Sequence, residues 1–332
     1  MFTKLKTLVA ISALTLAVTS VQAAETVKIG LVVKALGIGF FEAAHEGAKE
    51  AAAEMGDIEV IYTGPTTTTA EGQIETINAL IAQKVDAIAV SANDGDALVP
   101  ILKKAKSRGI KVISWDSGVA DEGRILHLNP SSNALIGAMC VQLADDAVKA
   151  TGAQSGEVAI LSATPTSTNQ NIWIEEMKKT LKAKYPNLTL VATVYGDDLS
   201  DKSYREAIGL MKSYPNLKAI IAPTTVGILA AAQAVEDQKM VGKIFVTGLG
   251  LPSELAGHVD LNSIKSFAIW NPIDLGYSAT MLAYNLVKGN GTATSVPMGR
   301  MGTAQLDATG NAAMSDPFIY DASNVHQFAD IF

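Results

Sequence analysis

Short apolar strand patterns alternate with amphipathic helix patterns along this chain, and no other feature of the sequence constrains its fold as strongly. Residues 27–33 form a β-branched, apolar run typical of a strand buried on both faces of a parallel sheet. Residues 41–55 repeat at helical spacing, and Thr68 with Glu71 has the spacing of a capping box that starts the next helix. Further strand patterns lie at residues 58–62, 87–91 and 111–115. This alternation predicts a doubly wound α/β sheet.

The alternation restarts after Asn129, which predicts a second lobe of the same kind. Strand patterns recur at residues 158–161, 190–195, 219–222 and 244–247, with helical patterns between them. A weak internal repeat supports duplication, because residues 86–114 and 218–246 share one order of strand, helix and strand. A chain of 332 residues also exceeds what one hydrophobic core usually serves.

The end of the chain predicts how the two lobes are joined. A last strand pattern at residues 266–270 and a helical pattern at residues 275–288 precede an irregular tail. If this helix returns to the first lobe, three connections form a hinge. We therefore assign residues 24–128 and 271–297 to lobe 1, and residues 129–270 and 298–332 to lobe 2. The predicted fold class is α/β, with two doubly wound Rossmann-like lobes and a three-crossing hinge.

The N-terminus has the pattern of a secretory signal peptide. Lys4 and Lys6 precede an apolar run over residues 8–18, and an A-x-A-like sequence ends at Ala23. The apolar run is well short of the ~20 residues that a membrane span needs. We therefore expect residues 1–23 to be removed by cleavage between Ala23 and Ala24, and the mature protein to be exported.

Charge and motif content argue against several classes of function. The net charge of −7 disfavours nucleic acid and anionic membranes as partners. The four histidines have no metal-ligand spacing, and Cys140, the only cysteine, lies on the apolar face of a helical pattern, where we expect a buried, inert thiol. No nucleophile elbow, Walker loop or complete dinucleotide-binding motif occurs. We expect no metal, no cofactor, no catalytic residue and no enzyme activity.

Polar and aromatic residues follow the predicted strands of both lobes at their carboxyl ends, where open α/β sheets bind ligands. Ammonium, carboxylate and amide groups there can pair with ring hydroxyls, and aromatic rings can cover the C–H faces of a sugar. We interpret Trp115 as a core residue. The predicted sugar-binding residues are Lys34, Phe40, Phe41, Asp116, Asn169, Gln170, Pro223, Thr225, Trp270 and Asn271.

At these strand ends the sequence resembles the type I periplasmic sugar-binding proteins, the ribose-binding-like family, over essentially the whole mature chain. Residues 34–41, 114–117 and 168–173 are most similar to the rhamnose-binding and autoinducer-2-binding proteins of ABC importers. The resemblance implies a monomeric protein of the periplasm. It also implies capture of a small sugar between the lobes and delivery to a membrane permease.

Two positions distinguish these neighbouring groups. In the autoinducer-2 group the ligand contacts are similar to Lys34, Asp116, Gln170 and Pro223 here. That pattern would also have an aspartate in place of Asn169 and an alanine in place of Thr225. This sequence follows the rhamnose-binding group at both positions, so L-rhamnose is the predicted ligand and autoinducer-2 the alternative.

Three other classes of function are alternatives. A sugar-responsive repressor shares these two lobes but needs a helix-turn-helix ahead of them, where this chain has the signal-peptide pattern. A sugar-modifying enzyme needs an acid–base pair, and only Asp116 is a strong candidate. A protein that presents its bound sugar to a membrane sensor would use the same closed state, and this role stays open.

Overall fold

The structure, a computed structural model, describes residues 26–332 of the chain. The predicted signal peptide, residues 1–23 with its cleavage site ahead of Ala24, lies outside the described residues. Within residues 26–332, no helix combines the length and the apolar character that a bilayer crossing requires.

Strands and helices alternate from the start of the described chain to its last fifth. The strands are β1 Val27–Val32, β2 Ile58–Thr63, β3 Ala87–Val90, β4 Lys111–Trp115, β5 Leu126–Asn129, β6 Gly156–Ser162, β7 Leu188–Tyr195, β8 Leu217–Ala222, β9 Phe245–Gly248, β10 Ser266–Ile269, β11 Ser295–Pro297, β12 Thr303–Gln305, β13 Asn311–Ala313 and β14 Phe318–Asp321. The helices are α1 Gly39–Met55, α2 Ala70–Ala82, α3 Val99–Ser107, α4 Asn133–Ala150, α5 Thr168–Lys184, α6 Ser200–Ser213, α7 Thr225–Asp237, α8 Pro252–Asp260, α9 Pro272–Lys288 and α10 Val325–Phe328.

These strands form two parallel sheets with the same internal order. The first sheet runs β2-β1-β3-β4-β5-β13, and all its pairings are parallel. The second runs β7-β6-β8-β9, also parallel, with β10 beside β9 and β14 antiparallel to β10. The order β2-β1-β3-β4 therefore recurs as β7-β6-β8-β9, as the internal repeat predicts. The predicted α/β fold class is confirmed.

Helix α9 packs against α1 in the first lobe at a distance that only glycine permits. A Cβ atom on Gly47 would lie 1.8 Å from the carbonyl oxygen of Ile273, and one on Gly276 would lie 1.8 Å from that of Ala44. The two helix backbones therefore touch directly. Since β10 lies in the second sheet and α9 against the first, the chain crosses between the lobes after Ile269.

The strand pairings bear on the predicted boundary at residue 297. Strand β13 pairs with β5 at the edge of the first sheet, and β14 pairs with β10, so we propose that lobe 1 extends to Ala313 and that only β14 and α10 return to lobe 2. The three residues of β13 are too few to show strand periodicity in the sequence. We propose a hinge of three crossings, between β5 and α4, between β10 and α9, and between β13 and β14.

The start of α2 also differs from the prediction. Its N-cap is Thr69, whose hydroxyl accepts a hydrogen bond from the Gly72 amide at 3.3 Å. The Thr68 hydroxyl instead donates to the Asp197 carbonyl of lobe 2 at 2.6 Å. The residue predicted as a helix cap thus joins the two lobes.

Cys140 lies fully buried on α4. Burial raises the pKa of its thiol to about 12, so the thiolate is scarce at neutral pH. The predicted burial of this thiol is confirmed.

Candidate binding site between the lobes

A cavity with an empty volume of about 420 Å³ lies between the carboxyl ends of the two sheets. Nine of the ten predicted site residues line it. They are Lys34, Phe40, Phe41, Asp116, Asn169, Gln170, Pro223, Thr225 and Trp270. The tenth, Asn271, does not line the cavity, because its side-chain oxygen caps α9 by accepting from the amides of Ile273 at 2.9 Å and Asp274 at 3.4 Å. Asn271 directly follows Trp270, which lines the cavity, and therefore lies one residue beyond the cavity wall.

Lys34, Asn169 and Asp116 form a buried hydrogen-bonded chain across the lobes. The Lys34 ammonium donates to Asn169 Oδ1 at 3.1 Å, and Asn169 Nδ2 donates to Asp116 Oδ1 at 3.0 Å. Ser91 Oγ donates to the other oxygen, Asp116 Oδ2, at 2.7 Å. Lys34 and Asp116 follow strands of lobe 1, whereas Asn169 lies in the first turn of α5 in lobe 2. These hydrogen bonds between side chains of the two lobes therefore hold the lobes in a closed arrangement.

Asp116 owes its position to an uncommon backbone conformation. Its φ of 57° lies in the left-handed region, which aspartate tolerates better than most residues. This turn directly follows β4 and brings the carboxylate to the cavity. Burial raises the pKa of Asp116, while the nearby Lys34 ammonium and the hydrogen bond from Ser91 oppose that rise.

Gln170 presents a donor to the cavity because its acceptor is already used. Its Oε1 accepts from Ser162 Oγ at 2.6 Å and from the Ala163 amide at 2.8 Å, both at the carboxyl end of β6. Its Nε2 group has no hydrogen-bond partner within residues 26–332. The fixed amide can donate to a ligand oxygen.

The apolar wall consists of aromatic rings in edge-to-face contact. Phe40 meets Phe41 at 5.2 Å and Trp270 at 6.2 Å between ring centroids. Trp115 is fully buried and does not line the cavity; it supports Phe41 from behind at 5.8 Å. Its interpretation as a core residue is confirmed. Trp173 contacts Trp270 at 5.7 Å and extends the wall.

Six lining residues are not among the ten predicted site residues. They are Ile38, Trp173, Asp198, Thr224, Leu249 and Ile269. Trp173 lies four residues after Asn169 on α5, so helical spacing places both on one face and could have identified it. Asp198 follows β7, a strand whose carboxyl end carries the same signal as the others.

Within residues 26–332, no three His, Cys, Asp or Glu side chains are grouped so that they could hold a metal ion. The cavity is instead lined by one ammonium, two carboxylates, neutral polar groups and aromatic rings. Such a lining can pair with hydroxyl groups and cover the C–H faces of a small polyol.

His127 lies on β5 and does not line the cavity. Its Nδ1 is 3.0 Å from Ser114 Oγ, and its Nε2 is 3.2 Å from Asn129 Oδ1. An amide oxygen can only accept, so Nε2 carries the proton and Nδ1 accepts from the Ser114 hydroxyl. Burial, together with the charge of Arg124, lowers the pKa of His127 to about 4.

We expect His127 to lower the stability of the folded protein on mild acidification. In the unfolded chain the pKa is near 6.5, so below that pH the unfolded state binds a proton that the folded state excludes. The free energy of unfolding should fall by about 3 kcal/mol in total through this group as the pH falls from 6.5 to about 4. Urea unfolding across this range should show a shallower pH dependence for His127→Gln than for the wild type. Parallel curves for His127→Gln and wild type would contradict this prediction.

Comparisons with known proteins agree with this geometry. The family model described as a periplasmic binding protein domain matches residues 29–291. The D-ribose/D-allose-binding protein of Pseudomonas aeruginosa is 26% identical over 71% of this chain and 75% of its own length. The D-allose-binding periplasmic protein of Escherichia coli is 24% identical over 81% of this chain and 87% of its own length.

Two solved structures are similar to this chain over nearly their whole length. An ABC transporter solute-binding protein from Clostridium phytofermentans with bound L-rhamnose has a TM-score of 0.88 and 36% identity, covering 93% of this chain and 100% of that one. LsrB from Clostridium saccharobutylicum in complex with AI-2 has a TM-score of 0.87 and 23% identity, covering 91% and 99%. Because LsrB is only 23% identical to this chain, its similarity indicates a shared fold and nothing more.

Proposed function

This chain belongs to the periplasmic binding protein domain family, and on that premise we propose that it binds L-rhamnose between its lobes and delivers it to the permease of an ABC importer. It is the substrate-binding component of an ABC sugar transporter and not an enzyme. Its periplasmic relatives imply the same location for this chain. Cleavage of residues 1–23 and a monomeric state remain predictions.

The observation that carries the choice of ligand is the Asn169 amide. Asn169 accepts from Lys34 and donates to Asp116, which an amide can do and an ionised carboxylate cannot. A carboxylate there, as the autoinducer-2 pattern has, would face the Asp116 carboxylate at about hydrogen-bond distance and repel it. The amide therefore favours the rhamnose-binding pattern. The related protein that is 36% identical and holds L-rhamnose supports the same choice.

In this proposal each polar group has a role toward the sugar. Asp116 accepts from ring hydroxyls, while Lys34 and the Nε2 group of Gln170 donate to ring oxygens. The Thr225 hydroxyl, at the first residue of α7, has no hydrogen-bond partner within residues 26–332 and adds a polar contact. The rings of the apolar wall cover the C–H faces and the 6-deoxy methyl group.

A thermal-shift panel tests this assignment. We expect L-rhamnose to raise the unfolding temperature more than autoinducer-2, D-ribose or D-allose at equal concentrations, because stabilisation by a ligand grows with its affinity. A ligand at one hundred times its Kd stabilises the folded state by about 2.7 kcal/mol. A larger shift with autoinducer-2 would support the alternative ligand instead. A larger shift with one of the other sugars would contradict the rhamnose assignment but keep the transporter class.

A further inference from the structure

Asp198 is a second carboxylate of the cavity, and it stands in a turn with unusual geometry. The chain leaves β7 after Tyr195 and enters α6 at Ser200. Between them, Asp197 and Asp198 both have left-handed backbone conformations, with φ of 56° and 50°. Aspartate and asparagine tolerate this conformation better than other non-glycine residues. Two such residues in succession set the direction of both carboxylates.

The two neighbouring carboxylates have different surroundings. Asp197 forms an ion pair with Lys202 and does not line the cavity, whereas Asp198 lines it. The Thr224 hydroxyl donates to Asp198 Oδ1. The other oxygen, Asp198 Oδ2, has no hydrogen-bond partner within residues 26–332. It remains available as an acceptor for a ligand hydroxyl.

Hydrogen bonds to the end of β6 and to the other lobe fix this turn. The amides of Gly196 and Asp197 donate to the carbonyls of Ser162 and Ala163, both at 2.8 Å. From the other lobe, the Thr68 hydroxyl donates to the Asp197 carbonyl at 2.6 Å. The position of Asp198 is therefore tied to the end of β6 and to the closed arrangement of the lobes.

The charges around the cavity do not balance. Among its lining residues, Lys34 is the single cation and Asp116 and Asp198 are two anions. Burial raises the pKa of both carboxyl groups, the Lys34 charge opposes the rise at each, and Asp198 raises the pKa of Asp116 further. An anionic ligand would add a further negative charge to an enclosed space that already has an excess.

We propose that Asp198 accepts a hydroxyl of the bound sugar, and that Asp116 and Asp198 together restrict the cavity to neutral polyhydroxy ligands. Sugars that carry a carboxylate or a phosphate are excluded by this pair of charges. The inference rests on the proposed function, because it concerns the same cavity. It adds the charge class of the ligand and a recognition residue that the strand-end pattern did not include.

The first test compares Asp198→Asn with Asp197→Asn by calorimetry with L-rhamnose. Both variants remove one negative charge from adjacent residues of the same backbone conformation, and asparagine suits that conformation. Only Asp198 lines the cavity. Asp198→Asn should weaken L-rhamnose binding at least about tenfold, the cost of one charge-assisted hydrogen bond. Asp197→Asn should bind within about threefold of the wild type, a change smaller than the loss of one such bond.

The second test uses the wild type and isolates ligand charge. L-mannose and L-mannuronate differ from L-rhamnose only at C6, where they carry a neutral hydroxymethyl group and a carboxylate. L-mannuronate should bind at least about a hundredfold more weakly than L-mannose, and Asp198→Asn should narrow that ratio. A ratio near one in the wild type contradicts the charge restriction.

The proposed function and this inference fail in different ways. If the wild type does not bind L-rhamnose, the ligand assignment is wrong, and the two variants are then compared on the neutral sugar that does bind. Equal affinity of Asp198→Asn and wild type for that sugar overturns the role of Asp198. A matching loss in Asp197→Asn also overturns it, since the effect would then come from the turn.

Discussion

We expect Asp116→Ala to abolish measurable L-rhamnose binding while the protein stays folded. The Asp116 carboxylate accepts from Ser91 and Asn169 and faces the Lys34 ammonium, all of them buried. Its removal leaves these donors, and the hydroxyls of the sugar, without their acceptor. Each charge-assisted hydrogen bond that is lost costs about 1.5–3 kcal/mol, or roughly ten- to a hundredfold in affinity. Calorimetry should therefore show a loss of at least about a hundredfold.

A second variant separates this effect from backbone strain. Alanine is disfavoured at the φ of 57° that Asp116 adopts, whereas asparagine tolerates it and keeps the shape of the side chain. Asp116→Asn should still weaken binding at least about tenfold, because an amide presents a donor where the site has donors of its own. Asp96→Ala, at an exposed aspartate outside this cavity, should bind like the wild type. Unchanged affinity in folded Asp116→Asn would remove Asp116 from the site.

The second large effect is a change of ligand preference in Asn169→Asp combined with Thr225→Ala. A carboxylate at residue 169 can still accept from Lys34 but cannot donate to Asp116, whose Oδ1 lies 3.0 Å from the present amide nitrogen. The alanine removes a hydroxyl and adds volume at the start of α7. The ratio of L-rhamnose to autoinducer-2 affinity should fall at least about tenfold, because buried groups left unpaired discriminate strongly between similar ligands.

The affinity ratio is the appropriate quantity here, because a general loss of binding cancels from it. Asn171→Asp provides a matched control on the same helix, since Asn171 bonds to the Pro165 carbonyl and does not line the cavity. It should leave the ratio unchanged. If the double variant also keeps the wild-type ratio, residues 169 and 225 do not determine the ligand.

Much of the fold could be predicted from the sequence because buried parallel strands are continuous apolar runs that are visible in the sequence. The repeat of residues 86–114 in residues 218–246 correctly indicated that β3-β4 and β8-β9 take equivalent places in the two sheets. Strand β13 escaped prediction, because three residues at a sheet edge are held by main-chain hydrogen bonds that any sequence can make.

The site could be predicted to the extent that the ends of strands determine it. Nine of the predicted residues meet at one cavity because the carboxyl ends of parallel strands lie at one edge of each sheet. Turn geometry decides the rest. Asn271, directly before Pro272, is a helix cap, and the sequence Asn-Pro at a helix start indicates that role. Asp198 follows a strand end that is visible in the sequence, but two left-handed residues decide that Asp198 rather than Asp197 lines the cavity. Strand and helix periodicity does not report that conformation.

The most direct test of this account is a calorimetric titration of L-rhamnose into the purified mature chain. The account predicts saturable binding at one site per chain, and weaker binding of autoinducer-2 under the same conditions. No heat of binding with L-rhamnose, together with saturable binding of autoinducer-2, would contradict the assignment and identify the alternative ligand.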